Sequence, residues 1–495
     1  MINDLMTKKN NDEVIMNWER FSGAIDCGAS GRVWNSDELI KLSKSVADSF
    51  MDKGLEKGDI VAVLLTNTVS FPIVLMALLY LQCNPLLLHG SSTNAEFDRG
   101  ISGAPVRFVV HESMENVSKY IPRSNEETLL EYTIGKVSFQ LSEVGSYTGT
   151  SSGLQGSILH LTSGTNNHPR ICIRNQRVAI AEAINYTSTI DIYSEARVNV
   201  TTPLSHAFAY GFGLMSSIIT NSTMVIDPVF NPKKVIRGLI NNPCDILTVV
   251  PPMVGIFTRL KQNNEDIKLA RAAFYAGTVC DPQTTANFEE SFRINLYSIY
   301  GSTETGAIST NYHCGTKVDG VGYPLLNTGI RIDNSLNYKG LGNGVGEIYV
   351  KSDSMMQGYY LQDDDNPREI EYFPTGDVGR HSNQVISILG RVTDFINING
   401  FKIDPNEIEE VVLSYEGILD AAVYPGRSSK GDEVVLCAIC TDKNINIEII
   451  ELKQHCEAKL SNYKLPKYFW ILDNLPRTGS GKCLKRELPG HFSRY

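Results

Sequence analysis

Lys482 stands directly after Gly479-Ser480-Gly481 in the segment LPRTGSGKCLKREL, residues 475–488. A long cation behind so flexible a run suits chemistry performed on an anion held elsewhere in the protein. Upstream, LTSGTNNHPR at 161–170 gathers Thr162, Ser163, Gly164 and Thr165 between a strand-like run and a helical pattern that begins near Asn175. Small hydroxyl residues with a glycine let backbone amides close around phosphate oxygens, and Arg170 adds a cation at the far end. The loop is not the Walker sequence GxxxxGK, which is absent from the chain. A third candidate follows the apolar run INLYSIY: Tyr300, Gly301, Ser302, Thr303 and Glu304 combine a flat aromatic face, hydroxyl donors and a hard carboxylate oxygen. Asp377 lies on a glycine turn in FPTGDVGR, with Gly390 and Arg391 a short way downstream. An ionised carboxylate there is a strong acceptor for hydroxyl groups.

These groups need a frame. From Asn35 the chain reads as a capped amphipathic helix: Asn35 and Glu38 make a capping-box pattern, Leu39, Leu42, Val46 and Phe50 share a face, and Gly54 ends it. GDIVAVLL then predicts a buried strand, and FPIVLMALLYL at 71–81 a buried helix too short to span a bilayer. Further strand-like runs fall at 106–110, 157–161, 198–201, 246–250 and 294–300, most of them separated by helical stretches. That alternation predicts an α/β fold with mostly parallel sheets, whose ligands sit beyond the carboxyl ends of the strands. Residues 111–156 are polar and weakly patterned and read as a surface excursion.

At 495 residues the chain exceeds one core and divides into domains. A net charge of -10 argues against a nucleic-acid partner, since phosphate backbones need a concentrated basic surface. The ten cysteines show no metal-ligand spacing, and Cys437 and Cys440 fall on opposite faces of a strand, which points to free thiols in a reducing compartment. No apolar signal segment opens the chain, so a cytoplasmic protein with no membrane partner is expected.

Taken in order, TSGT at 162–165, YGSTETG at 300–306, FPTGDVGR at 373–380, GRVTDFINING at 390–400 and the Lys482 segment resemble the adenylate-forming superfamily, which includes acyl- and aryl-CoA ligases, nonribosomal adenylation domains and firefly luciferase. The resemblance implies a large multi-layered N-terminal region, residues 1–390, and a small mobile α+β domain, residues 391–495, joined by a hinge. By the same resemblance, the 162–165 loop with Arg170 would hold the β- and γ-phosphates of ATP, Tyr300 would stack on the adenine, and Gly301 would belong to the same nucleotide site. Thr303 would meet the α-phosphate, Glu304 would bind Mg²⁺, Asp377 the ribose, Arg391 ribose or phosphate, and Lys402 phosphate or CoA. Lys482 would bridge the attacking carboxylate and the α-phosphorus. The chain departs from the family pattern at Asn166, Asn167, Arg170 and Thr393.

PLSHAFAYGFG at 203–213 and the AGT of 276–278 align with acid-pocket segments of that family. His206 is the candidate catalytic residue of the first and Gly277 a binding residue of the second, with Phe208, Tyr210 and Phe212 as candidate pocket walls. The aspartate with which amino-acid-activating relatives hold the substrate ammonium is missing from this block, which favours an acid without an α-amino group. GEIYVKSDSMMQGYY at 346–360 matches a further family block, in which only structural glycines are expected. The implied reaction is ATP-dependent conversion of a small carboxylic acid to an acyl-adenylate, followed by thioester formation with CoA. Transfer to a carrier-protein phosphopantetheine or to an amine is one alternative; a nucleotide-binding protein that has lost catalysis is another.

Overall fold

The computed structural model describes residues 12–28, 31–112, 130–135, 137–144, 153–162, 169–260, 268–334, 344–360, 371–392, 395–398, 401–428, 432–442, 445, 447–476 and 483–489. The chain divides into two compact units, one of residues 1–329 with 350–373, the other of residues 330–349 with 374–495.

Two large sheets build the first unit. One runs in the order Tyr323–Pro324, Gly306–Thr310, Leu296–Ser302, Ala270–Tyr275, Cys244–Val249, Arg197–Val200, Thr223–Ile226, Ala24–Cys27, Arg32–Asn35. Its strands from Leu296–Ser302 through Ala24–Cys27 are all parallel, and the outer strands turn antiparallel. The other has a parallel centre made of Ser157–Leu161, Asn84–His89, Ile60–Leu65 and Val106–His111. Ile60–Leu65 is buried at every position, as a parallel strand covered on both faces must be. Helix Ser70–Tyr80 is buried from Ser70 to Leu79, which explains why its sequence carries no polar face. Each fully buried leucine or phenylalanine there contributes roughly 2 kcal/mol.

Local signals are obeyed closely. Helix Ser36–Asp52 starts with the reciprocal Asn35–Glu38 capping box, and Gly54 beyond its end takes φ +86°. The reading of 111–156 as a surface excursion needs correction. Leu130–Ile134 and Val137–Glu143 form a hairpin on the edge of the second sheet, with Ile134, Phe139 and Leu141 in the core. A strand with one buried face averages out as polar, and only the period of two in VSFQLSE betrays it. A second strand, Ile171–Asn175, also stands between the 162–170 loop and helix Gln176–Thr189, whose N-cap is Asn175.

In the second unit, strands Phe373–Ser382 and Val385–Arg391 pair antiparallel. A core of its own then forms from Ile396 to Leu460, around helix Pro405–Leu413 and the hairpin Ile418–Arg427 with Glu433–Thr441. Cys437 packs into that core while Cys440 packs on the other face with Tyr424, Leu475 and Leu488, as the strand period requires.

Candidate active site

The parallel strands of the first sheet deliver the candidate segments to one edge. Thr201–His206 follow Arg197–Val200, Ala276–Thr278 follow Ala270–Tyr275, and Thr303–Gly306 follow Leu296–Ser302, all at carboxyl ends. Tyr275 lies opposite Ser298 in the register, so Gly277 and Tyr300 leave neighbouring strands side by side. Gly277 takes φ +99°, a conformation strained for any residue with a Cβ, and it faces open space. Asn67 binds the 203–206 segment from both sides, donating to the Thr202 carbonyl at 2.8 Å and accepting from Leu204 N at 2.8 Å.

The 302–306 turn is held rigidly. Ser302 N donates to Thr305 Oγ1 at 3.1 Å, Thr305 N donates to Ser302 Oγ at 3.2 Å, and Ser354 Oγ donates to the Thr305 carbonyl at 3.0 Å. Gly301 is obligatory, because a Cβ there would lie 2.4 Å from the Gly306 carbonyl oxygen. Thr303 and Glu304 are left half-buried at the apex. Tyr359 Oη donates to Glu304 Oε1 at 3.0 Å, and Met356 N donates to the Glu304 carbonyl at 2.7 Å. Burial, then the neighbouring Glu304 carboxylate, raises the Tyr359 pKa, so the phenol stays protonated and keeps donating. Cys172 is also raised, by burial first and Glu304 second, and remains a neutral thiol.

Strand pairing brings Arg170 to this turn. Tyr359 lies opposite Cys172, and the Arg170 guanidinium sits 4.9 Å above the Tyr359 ring. Thr162 N donates to the Arg170 carbonyl at 2.9 Å and closes the loop at its base. Arg170, Tyr359 and Glu304 therefore form one cluster. Ser163, Gly164 and Thr165 lie outside the described residues, as do the departures Asn166, Asn167 and Thr393.

His206 is solvent-exposed. Its pKa is lowered, by burial first and by His89 second, whose ring lies 6.2 Å away. Of the candidate pocket aromatics, Tyr210 and Phe212 are fully buried core residues. Phe208, half-buried and stacked on Phe212 at 5.6 Å, alone keeps a partly open face.

In the second unit Asp377 lies opposite Arg391 in the strand pair, and Arg391 Nε meets Asp377 Oδ1 at 2.7 Å. Lys402 belongs to the hairpin of Ile396–Ile398 with Phe401–Ile403, opposite Asn397. Lys482 lies outside the described residues, but both stems of its loop are anchored. Leu484 N donates to the Pro476 carbonyl at 2.8 Å, Leu475 and Leu488 are buried, and Lys485 pairs with Glu409 at 2.9 Å.

The family model of the AMP-binding enzymes matches residues 12–360, and that of the AMP-binding enzyme C-terminal domain matches residues 407–482. The chain belongs to the AMP-binding enzyme family. A 2-succinylbenzoate–CoA ligase from Bacillus cereus is 27% identical over 459 residues, covering 90% of each chain. Among solved structures, ATP-bound MatB from Rhodopseudomonas palustris superposes with a TM-score of 0.76 at 20% identity, over 96% of this chain and 97% of that one. The o-succinylbenzoate CoA synthetase MenE from Bacillus subtilis, in complex with its acyl-adenylate intermediate, gives 0.75 at 22% identity over 96% and 97%. The fold of this AMP-binding enzyme, α/β with large N-terminal sheets and a smaller C-terminal part, is the one expected from its sequence.

What sequence reasoning missed in this AMP-binding enzyme is the support of the turn. The 346–360 block supplies more than structural glycines, since Tyr359 holds Glu304 and Ser354 holds Thr305. Arg174 and Glu182 were also passed over, although Glu182 is a lone charge amid apolar neighbours in AIAEAI and Arg174 closes the apolar run ICI. A charge in such a setting is buried with a partner or not at all, and that was the available signal.

Proposed function

We propose that this chain activates a carboxylic acid without an α-amino group as its acyl-adenylate and transfers the acyl group to CoA. It is an acid–thiol ligase of the AMP-forming type. The observation that carries this reading is the cluster of Arg170, Tyr359 and the turn-held Glu304 beside the carboxyl ends of the strands that bear Gly277, Tyr300 and His206. Curated relatives that match nine-tenths of the chain are CoA ligases, which favours CoA over a carrier protein as acceptor.

The 162–165 amides and Arg170 bind the terminal phosphates of ATP, Tyr300 stacks on adenine above Gly301, and Thr303 donates to the α-phosphate. Asp377 accepts the ribose hydroxyls, with Arg391 beside it and Lys402 assisting at phosphate or CoA. The acid enters past Gly277 and His206 and presents its carboxylate oxygen to the α-phosphorus; the P–O bond to pyrophosphate breaks as the new one forms. Lys482 lies between the two anions and offsets their repulsion, an effect of roughly 3 kcal/mol for one well-placed group.

Glu304 suits Mg²⁺. It is a single hard carboxylate with Tyr359 occupying one oxygen, and Mg²⁺ is commonly held by one or two carboxylates plus substrate phosphates. When bound, that ion neutralises charge on the pyrophosphate leaving group. Rotation of the C-terminal domain, residues 391–495, then withdraws Lys482 for the thioester step, a reading supported by the separate core from Ile396 to Leu460. No described helix is long and apolar enough to cross a membrane, and the free cysteines favour the cytoplasm.

The test is acid-dependent ATP–pyrophosphate exchange across aryl, short-chain, long-chain and amino acids, followed by competition of CoA against carrier proteins. Exchange with a non-amino acid and preference for CoA are expected. Exchange with amino acids alone would overturn the reading, and ATP binding without any exchange would favour a protein that has lost catalysis.

A further inference from the structure

Beneath the 302–306 turn lies a charge pair that binds no substrate in the scheme above. Arg174 Nη2 donates to Glu182 Oε2 at 2.7 Å, with the two side chains 0% and 2% exposed. Burying an ion pair is expensive, and apolar residues of the same volume are often as stable or more so. Its contacts show what it connects. Glu182 Oε1 accepts from Ala307 N at 3.2 Å, immediately after the turn. Arg174 Nη2 also donates to the Ser354 carbonyl at 3.2 Å, and Ser354 Oγ in turn holds the Thr305 carbonyl. The pair thus holds the C-terminal side of the turn at two points, at Ala307 directly and at Thr305 through Ser354.

Two glycines make room for that grip. A Cβ on Gly211 would lie 2.5 Å from Glu182 Oε2, and one on Gly306 would lie 3.1 Å from Glu182 Oε1 and 3.0 Å from Ser354 Oγ. Gly211 belongs to the π-helix Ala209–Met215 that follows His206, so Glu182 is wedged between the acid-side segment and the nucleotide turn. Burial works to lower the Arg174 pKa, but the charge and hydrogen bond of Glu182 outweigh it and the guanidinium stays ionised.

We infer that Arg174 and Glu182 are positioning residues that aim Glu304, through Ala307, Ser354 and Thr305, at the metal-bound phosphates of ATP. The inference rests on Glu304 being the metal carboxylate. A carboxylate displaced by about 1 Å loses most of its contribution, because metal geometry is demanding, while apolar residues of similar volume in place of the pair leave the fold standing.

The experiment measures ATP affinity by titration calorimetry with and without Mg²⁺, alongside Tm, for the full chain and four variants. Wild-type protein binds ATP more tightly with Mg²⁺, and Glu304→Gln should lose that enhancement. Arg174→Met with Glu182→Met should keep Tm and metal-free ATP affinity, yet lose about tenfold of the enhancement. Arg174→Lys, which keeps a cation for Glu182 on a shorter side chain, should fall between. Ser354→Ala keeps the buried charges and should move the same quantity by about threefold, so the proposal stays testable should the double variant not fold. A full enhancement in the double variant, or in Ser354→Ala where the double variant does not fold, with loss in Glu304→Gln, overturns the positioning role and leaves the metal reading intact. Full enhancement in Glu304→Gln as well removes the metal reading, and the inference falls with it.

Discussion

Glu304 and Asp377 are both single carboxylates offered by a strand or the turn that ends it, yet the protein treats them differently. Glu304 stands on a turn tied by Ser302, Thr305, Ser354 and Met356 and backed by a buried ion pair, and its partner is a neutral phenol that competes weakly for a metal ion. Asp377 is bound by Arg391, a cation 58% exposed that can swing away. On the proposed scheme, the first site is kept through the reaction and the second exchanges partners. This division suits an enzyme in which the phosphates stay in place while a C-terminal element arrives and leaves.

The sharpest way to break that contrast is Lys482→Ala. Removing the arriving cation should lower adenylate formation about 10²–10³-fold while sparing thioester formation from a supplied acyl-adenylate. Equal loss of both half-reactions, measured by pyrophosphate exchange and CoA consumption, would contradict an exchanging role. Asp377→Asn should come next, raising KM for ATP roughly 10–100-fold through loss of charged hydrogen bonds to the ribose. An unchanged KM would remove Asp377 from the proposed ribose site. Tyr359→Phe keeps the ring under Arg170 but removes the donor to Glu304, and should raise the Mg²⁺ concentration for half-maximal exchange about tenfold. A change in Tm without a change in Mg²⁺ demand would reduce Tyr359 to packing.

Two smaller effects are read in pH. His206 is held neutral by burial and by His89, so activity should fall as pH drops through its lowered pKa. His89→Gln removes the second cause and should shift the acid limb of kcat/KM to higher pH; an unshifted limb would exclude His206 as its source. Asp404 caps helix Pro405–Leu413, and burial pushes its pKa up to about 6. A carboxyl whose folded pKa exceeds its unfolded value near ~3.9 binds protons better when folded, so its contribution is lost as pH rises from about 4 through about 6. Asp404→Asn retains the cap and should stabilise the second unit near neutrality by on the order of 1–2 kcal/mol, flattening the urea midpoint across that window. A midpoint profile that matches wild type would show that Asp404 does not titrate there.

Much of this was legible without coordinates. The Asn35–Glu38 box, the all-apolar helix Ser70–Tyr80, the strand Ser157–Leu161 and the strand leading to Tyr300 all followed from periods and caps within one element. The residues expected at the nucleotide, Arg170 and Glu304, do meet, through a tyrosine that residue types alone gave no reason to choose. The hairpin at 130–143 and the strand Ile171–Asn175 escaped because each is short and half polar, so its identity depends on the neighbour that covers it.

Amino-acid order by itself determined the helices Ser36–Asp52 and Ser70–Tyr80, several of the parallel strands, the five chemical segments and the family they imply, because caps, periods and glycine turns act over three or four residues. Only the tertiary structure decided which side chains support the chemistry. Tyr359 reaches Glu304 across 55 positions, Glu182 reaches Ala307 across 125, and Arg174 reaches Ser354 across 180. Nothing local specifies such pairings; the stacking order of the strands brings them together, and the high cost of an unpaired buried charge then fixes them.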